Sequence, residues 1–227
     1  MQSNDLAVLS RLIQARKSTR AFLDKPVELE KIDELLTLAR HAPSGTNTQP
    51  WRVYVLQGRT RDNLVASLTE AFDAGEKESM DYSYYPEQWV APYKQRRLAC
   101  GLALYSALDI TREDKDKQRA HWRRNFEAFN APVILMFTID RILDKGSYLD
   151  YGMFLQNLSL SATAMGLGSC AQAALANYPQ RVRKLLGLDD SQLILCGMGI
   201  GYEDSEHPLN QYRTEREPVE TFRTIVD

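Results

Sequence analysis

The chain has 227 residues and a mass of 25.9 kDa, enough for one well-buried domain. Hydrophobic residues make up 44% of the chain and charged residues 26%, as in an ordinary globular protein. The formal net charge of −2 disfavours a general nucleic-acid-binding protein, and no apolar run approaches the ~18 residues of a membrane span.

The first quarter of the chain predicts two helices, a strand and a third helix. Apolar residues from Leu6 to Ile13 recur at helical spacing after Asn4, a suitable N-cap. A second helix follows Pro26 and must end before Pro43. The segment "WRVYVLQG" has the alternation and β-branching of a strand, and a helical pattern then resumes.

The middle of the chain changes character. Residues 75–92 are rich in aromatics and prolines and show no sustained period. They predict an ordered excursion or lid, although a surface loop packed on its own rings explains the composition as well. A helix and a highly charged segment follow. We place this excursion at about residues 75–128 of a single domain spanning residues 1–227.

The last part of the chain supplies the buried strands. "APVILMFTID" predicts a strand buried on both faces, and "QLILCGMGIGY" predicts another. Between them lie a sparsely charged helix, a small-residue turn at 166–175, and a short helix from Pro179 to Gly187. Three or four strands among about seven helices indicate an α+β sandwich around one sheet. The glycines do not form a Rossmann fingerprint.

Candidate binding residues occur at both ends of the chain. Arg16, Lys17, Ser18 and Arg20 combine cationic groups with a hydroxyl, as a phosphate requires. A helix end whose cations offset the macrodipole explains the same cluster. Near the C-terminus, "NQYRTEREPVETF" is either a solvated tail or the second half of a clamp on one phosphate.

Two further segments suit a planar ligand. "HAPSGTNTQPW" lets backbone approach closely, and the amides of Asn47 and Gln49 suit the polar edge of a heterocycle; a simple helix-to-strand connector is the alternative. In "GLGSCAQAAL", backbone N–H groups beside small residues can reach a ring nitrogen. Cys170 has no histidine in an activating context, so we interpret it as a packing residue.

The cysteines and the N-terminus bear on the compartment. Cys100, Cys170 and Cys196 lie far apart and form neither a disulfide framework nor a metal signature. The first residues are too polar for a signal peptide. We therefore expect a cytoplasmic protein without a metal site.

These motifs together resemble the nitroreductase family, whose members are FMN-dependent enzymes that reduce nitroaromatics, quinones and related acceptors. The resemblance rests on segments in matching order: "RKSTRAF", "APSGTNTQPWRVYV", "GLGSCAQAAL", "LLGL", "GMGIGY" and "RTEREPVE". It covers nearly the whole chain. The middle, with "YYPEQWVAPYKQRR" and "HWRRNFEAFNAPV", is most similar to the nitrobenzoate-reductase branch.

The resemblance implies a nitroreductase-like α+β fold with a central, mostly antiparallel sheet, in an intertwined homodimer with FMN at each interface site. It implies NADH or NADPH as donor and ping-pong reduction of a nitroaromatic or quinone. The flavin would carry the chemistry, so no catalytic side chain is expected. At the phosphate and ribityl chain of FMN, the implied contacts are Arg16, Lys17, Ser18 and Arg20, with Arg213 or Arg216. From the partner subunit they are Pro43, Ser44, Gly45 and Asn47. The backbone at Gln172 and Ala173 would contact the N5 and O4 edge of the flavin, and Asn125 would contact the pyrimidine.

The motifs leave alternatives within and beyond this activity. An enone reductase, a dehalogenase or a flavin-destroying enzyme of the same superfamily would differ in the lid and share the FMN motifs. A non-catalytic flavin-binding redox sensor would bind FMN without turning over NAD(P)H.

Overall fold

The computed structural model describes residues 2–226, with side chains from residue 4 onward. Its centre is a four-stranded sheet of order β1-β2-β4-β3, in which every neighbouring pair is antiparallel. The strands are β1 Arg52–Leu56, β2 Val133–Asp140, β3 Gly168–Gln172 and β4 Gln192–Gly201. The α+β class and the antiparallel sheet are thereby confirmed.

Helices precede, follow and separate these strands. They are α1 Gln2–Ala15, α2 Leu29–Ala39, α3 Gly58–Asp73, α4 Tyr93–Ser106, α5 Lys115–Arg123, α6 Lys145–Ala164, α7 Pro179–Leu186, α8 Pro208–Gln211 and α9 Val219–Phe222. Gly187 ends α7 in the left-handed conformation, as the sequence predicts. The predicted N-cap at Asn4 is wrong, because α1 already begins at Gln2. Among residues 2–226, no helix is long and apolar enough to cross a lipid bilayer.

The sheet separates two hydrophobic cores. Along β2, Val133, Leu135 and Phe137 face the core beneath α2 and α6, whereas Ile134 and Met136 face the core beneath α3 and α7. All five side chains are completely buried. The prediction of a strand buried on both faces is confirmed, and the chain forms helical layers on either side of one sheet.

The predicted turn at 166–175 is wrong, because its centre is strand β3, paired with β4 from Gly201 to Gly197. Small residues have little strand preference of their own, and the ladder to β4 overrides it. A Cβ on Gly168 would lie 2.6 Å from Thr19 Oγ1, so only glycine lets the N-terminal segment approach β3 this closely. Thr19 N donates to Ser169 O at 2.9 Å.

The predicted excursion is anchored near its start and at its end, and most of the side chains between these places are exposed. Tyr82 donates from its hydroxyl to Leu195 O at 2.7 Å, and the neighbouring Asp81 accepts from the buried Arg183. Helix α4, further along, buries none of its side chains. The chain returns to the core by Phe126, which is fully buried.

Candidate functional site

A cavity of about 770 Å³ lies where the two ends of the chain meet beside α4. Its walls are Ile13, Gln14, Arg16, Lys17, Ser18, Arg20, Cys100, Gln156, Tyr212, Arg213, Thr214 and Arg216. The structure therefore brings together the cationic clusters that the sequence placed at opposite ends of the chain. Its volume is within the ~300–1,000 Å³ of small-molecule sites.

Backbone pairing fixes the N-terminal half of this cavity. Ser18 forms a parallel bridge to Ser169, which places the segment after α1 along the edge of β3. Asn210, which is buried, accepts from Arg20 N at 2.8 Å and donates to Ala21 O at 2.8 Å. A single amide thus ties the C-terminal segment to the N-terminal one.

Arg213 has a structural partner within the cavity wall. Its guanidinium donates to Ala15 O at 2.7 Å and to Arg16 O at 3.0 Å, the carbonyls at the end of α1. A cation there satisfies exposed carbonyls and offsets the helix dipole. The helix-end role considered for the N-terminal cluster is therefore filled by an arginine from the other end of the chain.

The remaining cations of the cavity have few acidic partners. Five cationic side chains and no carboxylate line it. Lys17 pairs with Glu203 outside the lining, whereas the Arg16 side chain has neither hydrogen bond nor ion pair among the described residues. Burial lowers the pKa of Arg16, and the nearby Arg216 and Arg213 lower it further. Uncompensated guanidinium groups at this density are the donor set of a phosphate monoester site.

Tyr212 is a lining residue that our sequence analysis missed. Arg20 donates to its hydroxyl at 3.3 Å, and burial raises the pKa of Tyr212, so the hydroxyl stays protonated at neutral pH. The sequence signal that could have identified Tyr212 was its position immediately before Arg213.

Gln172 and Asn125 form a second polar cluster at the end of β3. Gln172 is 5% exposed and donates from Nε2 to Asn125 O at 3.0 Å. Its buried Oε1 has no partner among the described residues, so it can accept a hydrogen bond from a ligand N–H. Ala173, directly after it, begins a 3₁₀ turn and is half-buried.

Two titratable side chains, His121 and Arg124, lie just before Asn125 in the chain. Burial lowers the pKa of His121 to about 4, with Arg124 and Arg20 contributing, so the imidazole is neutral near neutral pH. Arg124, directly before Asn125, lies 5.9 Å from the ring of Phe129. Our sequence analysis did not single out Arg124, because it was one charge among many in a charged segment.

The segment 43–47 does not line this cavity. Pro43, Gly45 and Asn47 are exposed, and Ser44 is half-buried. Asn47 has a left-handed φ of 59°, and the Asp150 carboxylate accepts from Gly45 N at 3.2 Å. Strained backbone on an exposed turn is typical of ligand-contacting loops.

The buried thiols are not nucleophiles. Burial raises the pKa of Cys170 to about 11 and that of Cys196 to about 12. Both are therefore protonated at neutral pH, which agrees with the packing role expected for Cys170. Within residues 2–226, no group of three or more His, Cys, Asp and Glu side chains is arranged to hold a metal ion.

Comparison with known proteins shows which proteins this chain is similar to. The sequence profile of the Nitroreductase family matches residues 13–202. The chain is 38% identical over 216 residues to the chloronitrobenzene nitroreductase of Comamonas testosteroni, covering 95% of each chain. It is 36% identical over 218 residues to the 4-nitrobenzoate reductase of Nocardioides sp. (strain LMS-CY), covering 95% and 88%. The solved FMN-dependent nitroreductase NfnB from Mycobacterium smegmatis, in complex with NADPH, matches with a TM-score of 0.93 at 32% identity, covering 98% and 99%.

Proposed function

The chain belongs to the nitroreductase family, and from that premise we propose that it is an FMN-dependent oxidoreductase. It uses NAD(P)H to reduce nitroaromatics, quinones or similar acceptors in a ping-pong sequence. The observation that carries this proposal is the cavity between the chain ends, which gathers five cations without a carboxylate. That donor set suits a phosphate monoester, and the cavity has room for a ligand of this size.

Different residues of the cavity lining would hold different parts of FMN. Arg16, Arg20 and Arg216 would hold the phosphate, together with the Ser18 hydroxyl and Lys17. Arg213 positions this group by holding the C-terminal segment on the end of α1.

The polar cluster beyond β3 holds the ring system. Backbone at Gln172 and Ala173 would hold the N5 and O4 edge, and Asn125 would hold the pyrimidine. When bound, the flavin accepts two electrons from NAD(P)H and passes them to the acceptor. The chain itself would orient the ring through these backbone and amide groups. No acid–base pair is required, because the cofactor supplies the electron transfer.

The active form we propose is a homodimer. Helix α1 exposes Leu6, Leu9 and Ile13 at 70%, 49% and 50%, and Leu149 on the adjacent α6 is 74% exposed. An apolar face of this kind is typical of a subunit interface. In this dimer, residues 43–47 of one subunit would hold the flavin of the other. The three free cysteines support a cytoplasmic location.

We expect Leu9→Glu to weaken dimerisation, because it places a charge on the apolar face of α1. The loss of Leu burial alone is about 2 kcal/mol of association free energy. Sedimentation velocity is the measurement, and Ile142→Glu, at a side chain that is 91% exposed between β2 and α6, is the matched control. A Leu9→Glu variant that keeps the wild-type mass contradicts this interface.

The proposed activity has a direct spectroscopic test. The purified protein should be yellow, should be bleached anaerobically by NADH or NADPH, and should recolour when a nitroarene or quinone is added. Colourless protein that fails to take up FMN contradicts the cofactor assignment. Yellow protein that is never bleached indicates a flavin-binding redox sensor, and recolouring only by enones or halogenated aromatics indicates another activity of the superfamily.

A further inference from the structure

The turn between α2 and β1 has a strained backbone. Thr46, Asn47 and Gln49 have φ angles of 50°, 59° and 47°, in the left-handed region that non-glycine residues rarely adopt. All three side chains are exposed, so no core packs on them. Hydrogen bonds within residues 44–49, such as that from Gln49 N to Ser44 Oγ at 3.0 Å, close the turn but do not tie it to the rest of the chain. Its position therefore depends on contacts from outside the turn.

Helix α6 holds the end of this segment, where it becomes β1. The Tyr151 hydroxyl accepts from Arg52 N at 3.1 Å and lies 2.9 Å from Arg52 O. One helical turn further along α6, the ring of Phe154 is stacked on that of Trp51, with centroids 4.9 Å apart and an interplanar angle of 15°. Tyr151 and Phe154 both belong to the core beneath α2 and α6. Core packing thus fixes the end of the segment.

Helix α6 holds the beginning of the segment by a single carboxylate. Asp150, directly before Tyr151, accepts through Oδ1 from Gly45 N at 3.2 Å. Asp150 is 8% exposed, and its side chain makes no other hydrogen bond and no ion pair among the described residues. One neutral donor compensates poorly for taking a carboxylate out of water, so an apolar side chain here would favour folding more. The chain therefore keeps a buried carboxylate whose one polar contact is the turn.

We propose that Asp150 is a positioning residue for the flavin, because it fixes the 44–49 turn in the shape that holds the ring. This inference rests on the proposed function, in which residues 43–47 would hold the flavin of the other subunit. The donor that Asp150 binds, Gly45 N, lies between Ser44 and Asn47, which we assign to that flavin. Fixing the backbone between them removes freedom that flavin binding would otherwise have to remove. A contact that costs folding free energy and serves binding is typical of functional sites.

Asp150→Leu removes the acceptor and keeps a side chain of similar size. It should weaken the binding of FMN and of riboflavin by about 3- to 10-fold each, the loss of one hydrogen bond, because both flavins carry the ring. The free energy of unfolding of the apoprotein should stay equal or rise, since Gly45 is exposed and its N–H can bond to water. Asp150→Asn keeps an acceptor at the same place and should retain most of the affinity. Fluorescence titration and urea denaturation measure the two quantities.

Hydrogen exchange followed by mass spectrometry reports on the turn itself. In the apoprotein, the amides of residues 44–52 should exchange about 3- to 10-fold faster in Asp150→Leu than in the wild type, whereas those of β2 should not change. Asp144→Leu is the matched control, because Asp144 is exposed and accepts from Lys145 N at 2.7 Å as the N-cap of α6. Asp144→Leu should lower the stability and leave both flavin affinities unchanged.

Three results overturn the inference. Faster exchange at residues 44–52 without loss of flavin affinity shows that the turn does not hold the ring. Equal losses of affinity in Asp150→Asn and Asp150→Leu show that the hydrogen bond to Gly45 N is not responsible. A fall in unfolding free energy as large as the loss of binding free energy shows a structural role only. A wild-type protein that binds neither flavin is a different result: it contradicts the proposed function, while the exchange rates still show whether Asp150 fixes the turn.

Discussion

Replacing Arg16 by alanine should weaken FMN binding by roughly 10- to 100-fold, the loss of a charge-assisted hydrogen bond, without destabilising the apoprotein. The Arg16 side chain makes no hydrogen bond or ion pair among the described residues, so its removal deprives no group of the folded chain of a partner. Burial and the nearby Arg213 and Arg216 already lower the pKa of Arg16. Removing its charge therefore relieves repulsion in the apoprotein and leaves its thermal stability equal or slightly higher.

A ligand without a phosphate makes this test specific. Riboflavin presents the same ring and ribityl chain, so its affinity should be nearly unchanged by Arg16→Ala, while that of FMN falls. Fluorescence titration of the apoprotein with each flavin measures both affinities. Arg11→Ala, at an exposed arginine of α1 five residues before Arg16, is the matched control. Equal losses for FMN and riboflavin would show that Arg16 does not hold the phosphate.

The double variant Arg16→Ala, Arg20→Ala should lose more FMN affinity than either single variant. Arg20 donates to Ser18 O and to Tyr212, so its removal also costs the apoprotein some order at the cavity wall. Even so, the loss of FMN affinity should exceed the loss of apoprotein stability. Similar losses in both would favour the helix-end interpretation of the cluster.

The sequence predicts the parts of this protein that depend on local patterns. Periodicity is sufficient to predict α2, β1, β2 and α7, because each of these elements carries its own apolar face or run and its own stop signal. It is not enough for β3, whose small residues become a strand only because β4 offers a ladder. Nothing local distinguishes a strand edge from a turn at such residues.

The candidate site likewise has a part that the sequence predicts and a part that it does not. Residue chemistry identifies Arg16, Arg20 and Arg216 as candidates for a phosphate site. It does not separate Arg216 from Arg213, because the bonds from Arg213 to the end of α1 join residues nearly the whole chain apart. The arginine with a helix end to cap can be recognised only once both chain ends are in place.

The most destabilising single change we expect is Asp81→Ala, because it strands a buried charge. Asp81 Oδ2 lies 2.6 Å from Arg183 Nη2, and Oδ1 lies 3.1 Å from Nη1, a bidentate pair. The side chains are 10% and 5% exposed. Removing one partner of such a pair costs about 3–5 kcal/mol of unfolding free energy. Asp190, which is 93% exposed and 3.6 Å from Arg183 Nε, compensates little.

Urea denaturation of the holoenzyme measures this loss, with Asp62→Ala as the matched control. Asp62 also pairs with an arginine, Arg61, but is 65% exposed, so its loss should cost less than about 1 kcal/mol. Replacing both members of the buried pair, as in Asp81→Leu with Arg183→Leu, should recover much of the stability, because no unpaired charge remains. Equal costs for Asp81→Ala and Asp62→Ala would contradict the assignment of a buried pair.

Asp81→Ala should also affect acceptor binding, because Asp81 helps to hold the excursion on the sheet. Asp81 precedes Tyr82, whose hydroxyl donates to Leu195 O, and also accepts from Ile194 N at 2.9 Å on β4. Releasing this anchor frees the aromatic-rich start of the excursion from the sheet, so KM for aromatic acceptors should rise in Asp81→Ala while the affinity for FMN changes little. The reason is that the phosphate wall is held separately, by Asn210 and Arg213. A fall in FMN affinity as large as the rise in KM would show that the excursion and the cofactor cavity are one structural unit.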